Sequence, residues 1–264
     1  MNENLKKYKE LDLEIFLIVN RLYWDKYSEL MERLPFQTKM IDPGTREGSD
    51  FVREIIDLNE KAYGKGMAAP DWTFANFGTI GAGLTAGFLV NNKPISKLSL
   101  VGNIADTKVA HEWTLLVDPQ YEGKGIGTIT FALALHLAQD KEFLTFIIQT
   151  DNASSNIYLK TTNPLNIMSY GFVHTCQNSL FIKTKVPKEN AFESLLNNKI
   201  ISYNFEDYVE AKEKISEDSK PFWIRHDNEN LYRNLNERLE NGEKYTLKGK
   251  TQKENYTYFL IEKG

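Results

Sequence analysis

The stretch Trp113-Thr-Leu-Leu-Val-Asp-Pro-Gln-Tyr-Glu-Gly-Lys-Gly-Ile-Gly-Thr128 reads as a strand, a glycine-rich turn and the start of a helix. From Trp113 to Val117 the residues are apolar or β-branched, as a buried strand requires. Asp118-Pro119 ends the pairing, because proline lacks the amide hydrogen that a ladder needs. From Ile129 onward, Ile-Thr-Phe-Ala-Leu-Ala-Leu-His-Leu-Ala is strongly helix-forming. Between the two, Gly123, Gly125 and Gly127 remove side chains where the amides of a helix start point outward. Those amides have no intrahelical acceptor and carry the positive end of the helix dipole, so the turn suits an anion, and a phosphate above all.

Two phosphate motifs are excluded by spacing. A mononucleotide P-loop ends in Gly-Lys-Ser/Thr, whereas Lys124 is followed by Gly125. A dinucleotide fingerprint needs another glycine spacing and an acid at the end of the next strand. The segment resembles the pyrophosphate loop of the GNAT acetyltransferase superfamily, Gln/Arg-x-x-Gly-x-Gly/Ala after a strand ending in Val-Asp-Pro. Gln120, Gly123, Gly125 and Val117-Asp118-Pro119 stand in those places. The resemblance implies acetyl-CoA as the coenzyme, with Gln120, Glu122, Gly123, Lys124, Gly125, Ile126, Gly127 and Thr128 around its diphosphate. It also implies that Leu115, Leu116 and Val117 pair with the pantetheine amides as if a strand were added.

The 264 residues allow one domain of ordinary size plus an appendage, or two small domains, and the 41% hydrophobic and 26% charged fractions are those of a soluble globular chain. A net charge of −4 argues against a nucleic-acid footprint. Cys176 is the single cysteine, so no intramolecular disulfide forms and a reducing, cytoplasmic setting is expected. The opening Met1-Asn-Glu-Asn-Leu-Lys-Lys leads into charged amphipathic sequence and reads as no signal peptide. Trp72 to Asn92 is uncharged and long enough for a bilayer, but four glycines and several threonines favour a core strand of a β-hairpin, so no membrane partner is expected.

Along the chain, residues 1–34 place Leu11, Ile15, Ile18, Leu22, Leu30 and Leu34 at helical spacing, which predicts one or two amphipathic helices. Their apolar face docks on the core or joins two copies of the chain as a homodimer. Phe36 to Asp42 reads as a first strand and Glu47 to Tyr63 as a helix. Thr79 to Val90 and Ile95 to Gly102 read as a hairpin through Asn91-Asn92, followed by strands at Ala110 to Val117 and Phe143 to Gln149. This order predicts an α/β (α+β) fold: a GNAT-like mixed central sheet flanked by helices over residues 35–186. Residues 187–264 form a small C-terminal α+β appendage outside the resemblance, with a strand at Ile200 to Phe205, a helix at Asp207 to Ile215, a strand at Lys220 to His226, a helix at Asn228 to Asn241 and a final hairpin.

Thr-Asp-Asn152-Ala-Ser-Ser-Asn156-Ile-Tyr158-Leu-Lys160 is a polar helix start rich in N-cap residues. It resembles the family's Asn-x-x-Ala/Ser-x-x-Leu/Ile-Tyr-x-Lys-x-Gly-Phe segment, with the Asn152 to Tyr158 gap one residue short and Thr161 to Ser169 inserted before Tyr170-Gly171-Phe172. The resemblance implies that Asn152 and Asn156 help hold the coenzyme and that the Tyr158 hydroxyl protonates the leaving thiolate, with Tyr170 the alternative. For the proton of the attacking amine, Glu112 and His111 are equal candidates. Adjacent strand residues point to opposite faces, so only one of them faces the acceptor. His111, His136, His174 and His226 show no pairing that would bind a metal. The expected activity is acetyl transfer from acetyl-CoA to an amine, on a small molecule or a peptide. The alternatives are an acyl-CoA sensor without turnover and an interaction protein with a GNAT-like core.

Overall fold

Leu13 to Val19 is apolar at every position but Glu14, and it forms a strand rather than continuing a helix. The computed structural model describes residues 3–64, 83–102, 109–139, 141–148, 156–157, 159–161, 168–169, 179–185, 192, 196, 201–216 and 220–264. The expected one or two N-terminal helices are α1 (Glu3–Lys9) and α2 (Trp24–Met31), and the reading is corrected between them, where Glu14–Ile18 forms the strand β1. A run that is buried on both faces needs no alternation, and the four residues from Ile15 to Ile18 are all at most 1% exposed. The 3–4 residue spacing that suggests a helix is incidental to that run, and Leu22, which the stripe includes, is 86% exposed.

Contacts gather the chain into two compact units. The first comprises Met1–Phe143 with Val186–Asn197, and the second Leu144–Lys185 with Asn198–Gly264.

In the first unit, β2 (Thr38–Ile41) pairs parallel with β1, and β1 pairs antiparallel with β3 (Gly83–Val90). β3 turns at Asn91 and Asn92, both at positive φ, into β4 (Lys93–Val101), and β4 pairs antiparallel with β5 (Val109–Val117). The strand order is thus β2-β1-β3-β4-β5. Between β2 and β3, α3 (Arg46–Tyr63) starts at Thr45, whose side chain accepts the Gly48 amide at 3.0 Å. Its Phe51, Val52 and Ile55 pack on Phe16, Ile18, Ile41 and Leu89, with the Phe16 and Phe51 rings edge to face at 5.1 Å. α4 (Ile126–Leu137) is apolar nearly all round and is buried from Ile129 to Leu137. It reaches β4 through the Thr130 hydroxyl, which donates to Ser96 Oγ at 2.8 Å. Ser96 and Lys97 are neighbours on β4, and Lys97 pairs opposite Gly87 and Gly87 opposite Phe16. By strand alternation α3 and α4 therefore cover opposite faces of the sheet. The N-terminal helices dock on this core through Leu5, Tyr8, Tyr27 and Met31, each at most 3% exposed.

The strand β6 (Glu142–Ile148) runs across the division at Phe143. In the second unit β7 (Met168–Ser169) pairs antiparallel with β8 (Ser179–Lys185). The expected strand at Phe172 to Thr175 lies outside the described residues. The expected strand at Ile200 to Phe205 is absent from the described positions 201–204, which lead into a single 3-10 turn, Phe205–Asp207. The expected helix from Asp207 is replaced by the short strand β9 (Val209–Glu210), held parallel to β10 (Phe222–Arg225). Phe205 stacks on Trp223 at 5.6 Å, an aromatic anchor that fixes this turn. The expected helix from Asn228 is α5 (Glu229–Glu240), with Asn228 as its cap, and, as expected, β11 (Tyr245–Lys253) and β12 (Tyr256–Lys263) close the unit as a hairpin.

Among the described residues no helix is long and apolar enough to cross a membrane.

Candidate functional site

The strand β5 delivers the chain to the glycine turn, and its pairing with β4 is interrupted close by. Thr114 pairs with Ser99 and Glu112 with Leu100, so Trp113 is the extra residue of a β-bulge. Trp113 packs against the α3 cluster, and Lys97 Nζ lies 5.9 Å from its ring and donates to Thr114 Oγ1. The bulge thus brings two consecutive side chains of β5 within reach of one lysine.

At the end of β5 the Asp118 carboxylate does two things. Its Oδ1 accepts the Gln120 amide at 2.9 Å, which closes the single 3-10 turn Pro119–Tyr121. Its Oδ2 pairs with Lys61 Nζ at 2.6 Å, which ties the turn to the last turn of α3. The Asp118 amide donates to Ile95 on β4 at 2.8 Å. The Val-Asp-Pro sequence is therefore a fastening: aspartate holds the turn, and proline at its first position needs no amide partner.

Beyond it, Gly123 sits at φ +74° and Gly125 at φ +82°. Gly125 is the N-cap of α4, and no side chain caps that helix. A Cβ at Gly123 meets nothing within 4 Å, so the turn is open on that side. Ile126 and Gly127 are buried in the first turn of α4 and Thr128 is half-buried, whereas Gln120, Glu122 and Lys124 are exposed. Lys124 Nζ lies 4.7 Å from the Tyr121 ring centre. The structure therefore brings Gln120 and Glu122 to Thr128 into one turn at one helix start, where an anion meets uncapped amides and the positive dipole end. These features fit a diphosphate.

Of the strand residues expected to meet the coenzyme, Leu116 is 4% exposed, while Leu115 and Val117 are half-buried. The Leu115 carbonyl accepts the Tyr63 hydroxyl at 3.1 Å, so the end of α3 touches this strand as well as the turn.

Both base candidates lie on β5 before the bulge and are half-buried, His111 opposite Val101 and Glu112 opposite Leu100. Burial holds the His111 imidazole below its ordinary pKa, so the ring is neutral at neutral pH. Asn156 is half-buried in a helical stretch of the second unit. Asn152, Tyr158 and Tyr170 lie outside the described residues. Among the described residues no three His, Cys, Asp or Glu side chains gather to hold a metal ion.

Three contributors escape the sequence reading. Lys97 is 0% exposed, and burial lowers its pKa to about 7 against the opposing pull of Glu112. Tyr8 donates to the Gly125 carbonyl at 3.1 Å, and Lys61 holds Asp118.

Comparison with known proteins bears on this loop. Residues 48–161 match the model of the Acetyltransferase (GNAT) family. This stretch is a GNAT acetyltransferase domain. It begins inside α3 and takes in β3, β4, the bulged strand, the glycine turn and α4. No curated protein matches the chain. Among solved structures, the chain is similar to the ribosomal-protein-S18-alanine N-acetyltransferase from Escherichia coli. The identity is 12% over 53% of this chain and 90% of that chain, with a TM-score of 0.41. It is also similar to diaminobutyrate acetyltransferase EctA from Paenibacillus lautus, solved with L-2,4-diaminobutyric acid and coenzyme A, at 10% identity over 54% and 93% and a TM-score of 0.43. A third is Mycobacterium smegmatis RimJ in complex with CoA-disulfide, at 13% identity over 57% and 84% and a TM-score of 0.42. The match places residues 48–161 in a family of acyltransferases.

Proposed function

We infer that the chain transfers an acetyl group from acetyl-CoA to an amine on a small molecule or a peptide. The observation that carries this reading is the pair of left-handed glycines, Gly123 and Gly125, at the uncapped start of α4 inside the GNAT domain.

In this reading the amides from Gly123 to Gly127 hold the diphosphate, Gln120 and Lys124 flank it, and the Thr128 hydroxyl adds a donor. The main chain of Leu115 to Val117 orients the pantetheine arm, which places the coenzyme beside the bulge. When bound, the coenzyme supplies an acetyl thioester, an acyl group already activated for attack.

The chain's own task is then to manage protons. A free alkylamine is protonated at neutral pH, since its pKa is near 10. A neutral His111 accepts a proton at a ring nitrogen, and Glu112 accepts one at its carboxylate. The two remain equal candidates. Tyr158 is the proposed proton donor to the departing sulfur, with Tyr170 behind it.

Titration calorimetry with coenzyme A, beside a thiol-release assay against a panel of amines, tests the reading. Micromolar binding and release of free thiol are expected from the natural chain, and both are lost in Gly125→Arg. Binding without thiol release marks a coenzyme sensor instead, and no binding at millimolar coenzyme A removes the proposal.

A further inference from the structure

The helix α1 lies outside residues 48–161, yet two of its side chains reach the glycine turn at Gly125. A Cβ built at Gly125 would stand 2.8 Å from Tyr8 Oη and 3.1 Å from Lys7 Nζ. The close approach is specific in chemistry. Tyr8 is 2% exposed, and its hydroxyl donates to the Gly125 carbonyl at 3.1 Å. That carbonyl already accepts the Ile129 amide of α4 at 3.2 Å, so Tyr8 uses the turn's acceptor and leaves its amides to another group. Burial pushes the Tyr8 phenol up to about 12, so it stays a neutral donor across the working pH range.

Lys7 is exposed, and its ammonium lies 4.6 Å from the Tyr8 ring centre, which holds it over the turn. Lys6, Lys7 and Lys9 make the last turn of α1 basic. Lys124 rests on the Tyr121 ring at 4.7 Å and lies within the turn itself. One cation comes from the turn and another from a segment more than a hundred residues earlier, and both lie beside the uncapped start of α4.

We propose that α1 is part of the coenzyme site, with Lys7 a second cation for the diphosphate and Tyr8 a positioning residue that fixes the Gly125 carbonyl. The proposal rests on the coenzyme reading above and adds that a segment outside the GNAT domain completes the site. The alternative role for Lys7 is to complement the C-terminal dipole of α1, which needs no ligand.

The test is calorimetry on the full chain with two probes: coenzyme A, and pantetheine, which lacks the diphosphate. Loss of one charge-assisted contact in Lys7→Gln is expected to weaken coenzyme A binding about ten-fold. The loss shrinks as salt is raised, Lys7→Arg restores most of it, and pantetheine binding is unchanged. Tyr8→Phe weakens coenzyme A binding less and is insensitive to salt. If the natural chain binds coenzyme A and Lys7→Gln binds it equally well, the role of α1 is overturned while the loop reading stands. Equal weakening for both probes also overturns it, because the effect is then on folding rather than on phosphate. If the natural chain binds no coenzyme A, the broader reading fails first.

Discussion

Lys61 and Asp118 form an ion pair of 2.6 Å between the last turn of α3 and the residue that ends β5, with the Asp118 side chain only 10% exposed. The same carboxylate accepts the Gln120 amide, so two substitutions separate its two roles. Asp118→Asn keeps an acceptor for the amide and gives up the ion pair. Lys61 is 44% exposed, so that loss is expected to stay below about 1 kcal/mol. Asp118→Ala gives up both and is expected to lose about 2 kcal/mol. Denaturant midpoints of the two variants decide the point: equal losses mean that the turn is not held by the amide contact.

Lys97 predicts a dependence of stability on alkaline pH. In the unfolded chain its ammonium keeps a proton to about pH 10, whereas in the folded chain it gives the proton up near 7. Between those values the unfolded state binds more protons, so stability rises with pH in that window. Lys97→Met has no such proton to lose, and its stability is expected to be flat from pH 7 to 9 by comparison. Urea unfolding of both proteins at several pH values measures the difference. A parallel pH dependence contradicts the assignment.

Acidification acts through His136, which is 1% exposed in α4. Its Nε2 lies 2.8 Å from the Leu30 carbonyl, which can only accept, so the ring carries its hydrogen there and Nδ1 accepts from Gln139 at 2.9 Å. Burial first of all keeps the pKa below its ordinary value. Below about pH 6.5 the unfolded imidazole takes a proton that the folded one refuses, so stability falls as pH drops. His136→Gln is expected to shallow the acid limb of the stability curve. The melting temperature between pH 7 and 5 reads it directly, and an unchanged limb assigns the acid sensitivity elsewhere.

Gly87 is a matter of room. A Cβ there would stand 2.0 Å from the Ser96 carbonyl oxygen and 2.8 Å from the Phe16 ring, in the middle of the β1-β3-β4 ladder. Gly87→Ala is expected to lose about 2 kcal/mol or more, since overpacking of a tight core destabilises by that order. Thermal unfolding checks it, and a variant as stable as the natural chain would mean that the strands give way freely.

Local demands were readable from residues, and distant ones were not. The glycine turn could be read because its backbone and its helix start impose residue types within one short stretch. Thr45 and Asn228 cap α3 and α5 by contacts three residues away, a demand equally local to the chain. The sequence of β1 reads as helical because a strand buried on both faces has no alternation to mark it. A lysine in a strand ordinarily marks the solvent side, and only the fold around Lys97 shows it buried. The Tyr8 contact to Gly125 spans 117 positions and leaves no mark in either segment. In the second unit, the residues from Asp207 follow the parallel pairing of Val209 with Phe222 rather than their own helical tendency.

Gly123 and Gly125 share a left-handed backbone, but they are not equally irreplaceable. At 123 a side chain has empty surroundings, and the obstacle is the handedness of the chain alone. Asparagine, which tolerates that conformation, meets the folding requirement there. At 125 the Tyr8 hydroxyl and the Lys7 ammonium stand within 3.1 Å of a Cβ as well, so a side chain there must also displace them. Two glycines that look interchangeable on paper thus differ in what folding asks of them: handedness alone at 123, and handedness together with the Tyr8 contact at 125.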